Sequence, residues 1–339
     1  MTRALSAFLL LFGLVGLAGA APASNQNTGD EASRASVDEL LSSASSAVRT
    51  ENYEGVLVYL REKQLDTLRV IHRFKDNVEQ ERLVSLTGQP REVIRRGGAV
   101  TSILPDSKVV LISRHQRKGL LGSVAQFSPK RMRASYLVSD MGQRRLSDRI
   151  GRLIQITPRD EFRYGYRMLI DEKTRVPLKL DLLRGNDVLE QLMFTQITFP
   201  EAVADKAFQP GYNIEGFRVI EHEAVQVEDK PVPEDAWKPT DLPPGFELAE
   251  DGVRRVTENG YVRQMLFTDG VATVSAFIAP AGLRKPLEGA TTMGAVNAFG
   301  HVSGDTQITV VGEVPAITVR QIASNLVHES RASAAEDKK

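Results

Sequence analysis

The chain of 339 residues contains no cysteine. That excludes disulfides, thiolate nucleophiles and thiolate metal sites, and it leaves no Cys to carry a lipid. Stability must come from an apolar core, for which a chain of this length is ample. Histidine is scarce: His72, His115, His222, His301 and His328 are the five, and none is spaced as a metal pair. Glu221–His222–Glu223 is the only local cluster, at the edge of a Pro-rich stretch where a metal site is not expected. There is no G-x-S-x-G elbow, no H-E-x-x-H and no phosphate loop. Gly97–Gly98 and Gly119–Leu120–Leu121–Gly122 read as loop glycines. A dispersed catalytic triad would leave no such signature, but nothing recommends one. The expectation is a protein that is not an enzyme and has no cofactor and no metal.

Long apolar runs are also missing, except at the N-terminus. Arg3, the apolar run Ala4 to Leu17 and Ala18–Gly19–Ala20 have the pattern of a cleaved secretory signal over residues 1–20. The run is too short for a stable membrane span. The mature chain is therefore expected to be soluble outside the cytoplasm, where nucleic acid is not a partner. Net charge is absent as well, with 43 Lys and Arg against 43 Asp and Glu. The balance is uneven along the chain. Arg61 to Arg167 holds 23 basic and 11 acidic residues, and Asp171 to the end holds 17 basic and 26 acidic. A basic first half fits phosphorylated lipid or an acidic protein segment. Equally, it fits a solvated face or the acidic half of the same chain.

What is present is alternation. Tyr164, Tyr166, Met168 and Ile170 are followed, after a turn at Asp171–Thr174, by Val176, Leu178, Leu180 and Leu182. After Gly185–Asn186 a long strand runs from Leu189 to Phe199. Period-two patterning with one apolar face predicts an antiparallel meander, and strands this long curl. Upstream, Ser36-x-x-Glu39 is a capping box for an amphipathic helix to about Val48. Short strands follow over 53–60, 68–74, 78–86, 91–96, 99–104 and 108–113, with another over 149–157. Pro129 starts a helix expected to reach Val138. The prediction is an α+β chain of about ten strands and two or three helices in one domain over residues 36–220. Residues 21–35 are polar and expected to be disordered. Residues 221–241 form a Pro-rich linker whose Trp237 docks on a domain surface rather than touching a ligand. A smaller α+β domain over 242–329 contains two hairpins, 261–267 with 271–279 and 295–302 with 306–312. It ends in a helix, Ala316 to Val327, that offers Ile317, Ile322 and Leu326 to the sheet. Residues 330–339 are a polar tail.

Several motifs resemble those of the RseB/MucB family. In the first domain they are Asn52–Tyr53–Glu54–Gly55, Leu83-x-x-Leu86–Thr87–Gly88, Arg91–Glu92–Val93–Ile94, Leu104–Pro105–Asp106 and Arg163–Tyr164–Gly165–Tyr166. In the second they are Leu242–Pro243–Pro244–Gly245–Phe246, the run Phe267–Thr268–Asp269–Gly270–Val271–Ala272–Thr273–Val274–Ser275, and Val310–Val311–Gly312–Glu313–Val314–Pro315. Each is weak alone, and their order and spacing make the resemblance specific over nearly all the mature chain. The resemblance implies an N-terminal curled antiparallel sheet, an unclosed β-barrel like a lipoprotein carrier, with helices at its mouth. It implies a periplasmic negative regulator of the envelope-stress sigma factor. Such a protein binds the periplasmic domain of a membrane-spanning anti-sigma factor, shields it from site-1 proteolysis, and lets go on binding lipid, notably lipopolysaccharide.

On that reading acyl chains enter between sheet and helices, with Val70, Phe74, Tyr166, Met168, Leu178, Leu180 and Met193 as candidate lining residues. Arg91, Arg95, Arg96, Arg114, Arg117, Lys118, Lys130, Arg131 and Arg133 are candidates to meet lipid phosphates or acidic anti-sigma segments. The bland alternatives are ordinary core for the first set and a solvated basic face for the second. A competing class is a periplasmic lipid or lipoprotein carrier with no regulatory partner, which needs only the first domain. An envelope hydrolase would need a nucleophile and base that the motifs do not supply. A homo-oligomer is left open.

Overall fold

A computed structural model describes residues 26–114, 119–222, 237–257, 260–282 and 287–328. The chain divides into two compact units between Ser36 and Val37. In the first, the described residues are helical from Gln26. Both main sheets belong to the second. The signal-like segment, residues 223–236 of the linker and the polar tail lie outside the described residues.

Helix α1 (Gln26–Thr50) starts well upstream of the Ser36 capping box, because Ala32, Arg34 and Ala35 are good helix formers and no proline intervenes. Six strands follow: β1 (Tyr53–Arg61), β2 (Gln64–Lys75), β3 (Val78–Ser85), β4 (Glu92–Arg96), β5 (Ala99–Leu104) and β6 (Val109–Ser113). Helix α2 (Pro129–Ser135) precedes β7 (Tyr136–Leu146), β8 (Arg149–Pro158), β9 (Gly165–Asp171), β10 (Pro177–Arg184) and β11 (Asp187–Thr198). Strand β12 (Arg218–His222) ends the group. These twelve strands form one sheet, in the order β12-β6-β5-β4-β3-β2-β1-β11-β10-β9-β8-β7. All neighbours are antiparallel except β12 on β6. The two edge strands, β12 and β7, do not meet, so the curled sheet is an unclosed barrel.

Helix α2 and strand β7 also differ from expectation. Helix α2 stops at Ser135, short of Val138, because Tyr136, Leu137 and Val138 pair with Pro158, Thr157 and Ile156 of β8. Strand β7 itself was not foreseen. Its middle, Asp140 to Arg145, is polar, as befits an exposed edge. Its turn uses Ser147 and Asp148, both at positive φ, in place of the Gly-bearing pair that usually marks such a hairpin.

The core of this sheet lies on its concave face. Val37, Leu41, Ala44, Ala47 and Val48 of α1 press on Tyr53, Leu57, Val70, Phe194, Met168, Ile170 and Leu178. On the opposite face the segment after β11 folds back. Arg73 donates to Val203 O at 2.6 Å and to Asp205 Oδ1 at 2.7 Å, and its guanidinium lies 4.8 Å from the centre of the Phe208 ring.

The rest of the chain comprises β13 (Trp237–Pro239), β14 (Glu247–Thr257), β15 (Gly260–Thr268), β16 (Thr273–Pro280), β17 (Gly289–Met293), β18 (Val296–Ser303), β19 (Thr306–Gly312), α3 (Ala316–Ser324) and β20 (Leu326–His328). Six of the strands make a second sheet, β14-β15-β16-β19-β18-β17. Helix α3 buries Thr318, Val319, Ile322 and Ala323 against it. Ile317 falls outside that stripe and is 40% exposed. The helix ends at Ser324, before the expected Val327, because Leu326 to His328 leave as β20 and pair with β13. Trp237, on β13, is buried in this second core and meets His328 edge-on at 5.4 Å.

The two sheets share a dry seam. The tip of the β15–β16 hairpin sends Val271 into the core of the large sheet, and Ala295 enters beside it from the β17–β18 turn. Asp269 of the same tip meets Arg163, Nη1 to Oδ2 at 2.8 Å, with both side chains at 0% exposure. Asp269 also accepts from Tyr136 Oη at 3.0 Å and from the amides of Val271 and Ala272. Gly270 lies at φ +90°, and a Cβ there would stand 2.5 Å from Arg131 Cβ. We predict that Gly270→Val lowers stability by at least about 1–3 kcal/mol from backbone strain alone. A shift of the urea unfolding midpoint reads this out.

Candidate functional site

The concave face is only partly filled by α1. Two hollows lie in the rest, and over them its roof is the segment from Gly119 to Ser123. The mouth, about 720 Å³, is bedded on Leu68, Leu83, Val93, Leu104 and Leu120, with Arg61 and Arg91 on its rim beside Asp66 and Asp106. The inner chamber, about 320 Å³, is lined by Tyr59, Tyr166, Leu180, Leu182 and Leu192, with Glu190 and Glu313 at its wall. Tyr59 and Leu120 line both, so the two adjoin. Alternation explains the lining. Leu57 pairs with Leu68 and Phe194, Val70 with Leu83, Leu83 with Val93, and Leu180 with Leu192 and Met168, so one parity of every strand faces inward.

Glu313 comes from the loop between β19 and α3, so the second sheet's side of the molecule supplies part of the chamber wall. A pocket with a leucine-rich floor and a polar, charged rim suits an amphiphile: tails on the leucines, an anionic head near Arg61 and Arg91.

On the far side of Gly119 lies a polar cavity of about 660 Å³ with buried charges in its wall, lined by Tyr53, Phe74, Glu79, Glu81 and Arg95 among others. Its charges are organised tightly. Tyr53 stacks on His72 with centroids 4.5 Å apart. His72 Nδ1 lies 2.7 Å from Glu51 O, and Nε2 lies 3.2 Å from Glu79 Oε1. Arg95 donates to Glu79. Glu81 accepts the amide of Leu120 at 3.1 Å, which ties the roof to the sheet floor. A Cβ on Gly119 would meet the ends of the Arg95 and Glu81 side chains, so a larger residue here must displace them. Burial pushes the Glu79 carboxyl up, but hydrogen bonds from His72 and Arg95 outweigh it and hold the group at about 2. Burial dominates at Glu81 and raises it.

These shifts predict an acid dependence. Glu79 has a lowered folded-state value, so its contribution is complete above about 4.5 and fades as pH falls toward about 2. Glu81 acts in the opposite sense, since its raised carboxyl binds the proton more tightly in the folded state. Glu79→Gln is therefore less stable than wild type at neutral pH, and the gap closes between about 4.5 and 2. Urea midpoints across that range test this.

The candidate lining residues separate into groups. Tyr166 and Leu180 line the chamber. Phe74 lines the polar cavity instead. Val70, Met168 and Leu178 are at 0% exposure, within the core cluster that includes α1. Met193 lies between Leu192 and Phe194, so it faces the opposite side of the sheet: period two puts neighbours on opposite faces. Among the basic candidates, Arg91 stands at the mouth. Arg95 is buried, is held by Glu79 and Glu81, and lines the polar cavity instead of the mouth. Arg131 pairs with Glu247 at 3.5 Å, and Arg133 pairs with Asp38. Arg96, Arg114 and Lys130 are exposed, outside the lining of the two hollows. Arg117 and Lys118 lie outside the described residues, as does Glu223 of the acid–histidine cluster. Among the described residues no group of His, Asp and Glu is placed to hold a metal ion.

The models of the MucB/RseB N-terminal and C-terminal domains match residues 36–212 and 231–327. The chain belongs to the MucB/RseB family. Its relatives include the sigma factor AlgU regulatory protein MucB of Pseudomonas aeruginosa, 30% identical over 88% of this chain and 93% of that one. The sigma-E factor regulatory protein RseB of Escherichia coli is 25% identical over 85% of this chain and 89% of that protein. Among solved structures, the MucA/MucB complex of Pseudomonas aeruginosa contains a chain 27% identical, with a TM-score of 0.64 over 86% of this chain and 99% of that one. A crystal structure of MucB has a TM-score of 0.58 at the same identity, over 87% and 97%. MucB/RseB proteins carry the names of regulators, not of enzymes. In the polar cavity the carboxylates of Glu79 and Glu81 hold Arg95 and the amide of Leu120.

Proposed function

We propose that this chain is a periplasmic negative regulator of an envelope-stress sigma factor. It grips the periplasmic region of a membrane-spanning anti-sigma factor and shields it from site-1 proteolysis. The observation that carries this reading is the likeness, through both family domains, to MucB in its complex with MucA. We assign residues 36–220 to lipid capture, 221–241 to a linker and 242–329 to the anti-sigma grip. We assign residues 1–20 to a cleaved signal and the mature protein to the periplasm; among the described residues no helix is long and apolar enough to cross a membrane.

Release is assigned to acyl lipid, lipopolysaccharide in particular, entering the mouth and chamber. The apolar bed with Arg61 and Arg91 on its rim supports that assignment. Linkage then requires that the anti-sigma segment weaken lipid binding by the same factor by which lipid weakens its own. In the test, the periplasmic anti-sigma fragment is digested by the site-1 protease. The mature chain should slow its cleavage, and lipopolysaccharide should restore it. Cleavage at an unchanged rate with the chain bound would refute the shielding role.

A further inference from the structure

We propose that helix α2, with the tyrosine that follows it, links the filling of the hollow to the seating of the second sheet. The inference rests on the reading that the hollow takes acyl chains, and it names the element that makes such an event felt elsewhere. One side of α2 belongs to the core behind the hollow's wall. Met132 and Tyr136 are buried in the large core with Phe127, whose ring meets Tyr166 edge-on at 5.1 Å. Tyr166 is a chamber wall. The other side of α2 belongs to the seam. Arg131 lies against Gly270 and pairs with Glu247. Ser135 Oγ sits where a Cβ on Gly245 would be. Tyr136 Oη donates to Asp269 at 3.0 Å.

Few bonds fix α2 in place. It has seven residues, and its N-cap Ser128 makes no side-chain capping bond. Its other ties are Arg133 to Asp38 on α1 and the amide of Arg159, which donates to Ser135 O at 2.9 Å. An element this short, wedged between a cavity wall and a hairpin tip, transmits displacement because both contacts are packed without slack. A side chain or ligand that occupies the chamber presses on Tyr166 and Phe127. The α2 segment answers by moving against Gly270 and Asp269. The seam then loosens, and by reciprocity a loosened seam favours filling.

The test uses the whole mature chain. Leu180→Trp fills the chamber without any ligand, and hydrogen exchange is followed at the amides of residues 268–272. We expect exchange there to quicken by between about five- and 150-fold, the usual range of coupling between sites. Amides of β18 and β19 should stay protected. Combining Leu180→Trp with Arg131→Ala and Tyr136→Phe should abolish the response relative to the same pair of changes alone. Should the tryptophan chain fail to fold, Leu182→Phe adds less bulk to the same wall. Hairpin exchange that ignores a filled chamber, or that still responds without Arg131 and the Tyr136 hydroxyl, overturns the link. A dansylated undecanoic acid separates this inference from the acyl reading. Absence of probe binding, with a hairpin that opens in Leu180→Trp, would sink the acyl reading and leave the link standing. Probe binding that leaves the hairpin untouched would sink the link.

Discussion

Asp269→Ala is expected to cost about 3–5 kcal/mol of folding free energy, the usual cost of removing one member of a buried ion pair. The reason lies in what stays behind. Arg163 has no exposed surface, so its charge cannot be rehydrated where it stands. It keeps Asp160 at 2.9 Å and the carbonyl of Pro244, and it lies 5.1 Å from the centre of the Phe246 ring and 5.6 Å from that of Tyr136. The variant also orphans the amides of Val271 and Ala272 and the Tyr136 hydroxyl. Replacing both partners at once, Arg163→Met with Asp269→Leu, should cost less than the single change, because no buried charge remains. Urea unfolding of the three chains decides it. If Asp269→Ala unfolds at the wild-type midpoint, the seam is not the closed, desolvated contact described above.

The second large effect concerns residues that sequence alone offers as lipid contacts. Met168→Ala is expected to destabilise the chain by about 2–5 kcal/mol. The side chain has no exposed surface and lies in one cluster with Ile154, Leu178 and the apolar stripe of α1. Leu180→Ala removes a chamber wall that is only partly buried, so it should cost less stability and more lipid affinity. Comparing urea midpoints with binding of a fluorescent fatty acid separates the two roles. A Met168→Ala chain with wild-type stability and lost lipid binding would move Met168 from core to site.

Much of the large sheet was legible because its strands alternate. The meander from Gly165 to Thr198 is the plainest case: one apolar parity, a two-residue turn at Gly185–Asn186, and little else to confuse it. Strand β7 was hidden because an exposed edge strand does not need an apolar face, and Gln143, Arg144 and Arg145 supply none. The hollow was half legible. Parity identified Tyr166 and Leu180, but it cannot say which inward residues lie under a helix and which line a space. That depends on where α1 stops covering the sheet, a matter of tertiary packing. Met193 shows the cost of choosing by residue type, since an adaptable methionine on the wrong parity faces away.

Least legible was the seam. Arg163 and Asp269 stand 106 positions apart, both inside family-like motifs, and no local pattern pairs them. A Pro-rich linker in the sequence says nothing of how closely the domains on either side of it pack. The seam interlocks through Val271, Ala295 and a desolvated ion pair, so any motion must first displace those contacts. This is why α2, which touches the core behind the hollow's wall and the seam alike, carries the link argued above.

The most direct test of the regulatory account is an equilibrium titration. The mature chain is titrated into a labelled periplasmic segment of the cognate anti-sigma factor, with and without lipopolysaccharide. The account predicts saturable binding that lipopolysaccharide weakens, and lipopolysaccharide binding that the segment weakens by the same factor. A chain that binds lipopolysaccharide but never the segment would contradict the regulatory account and leave a carrier.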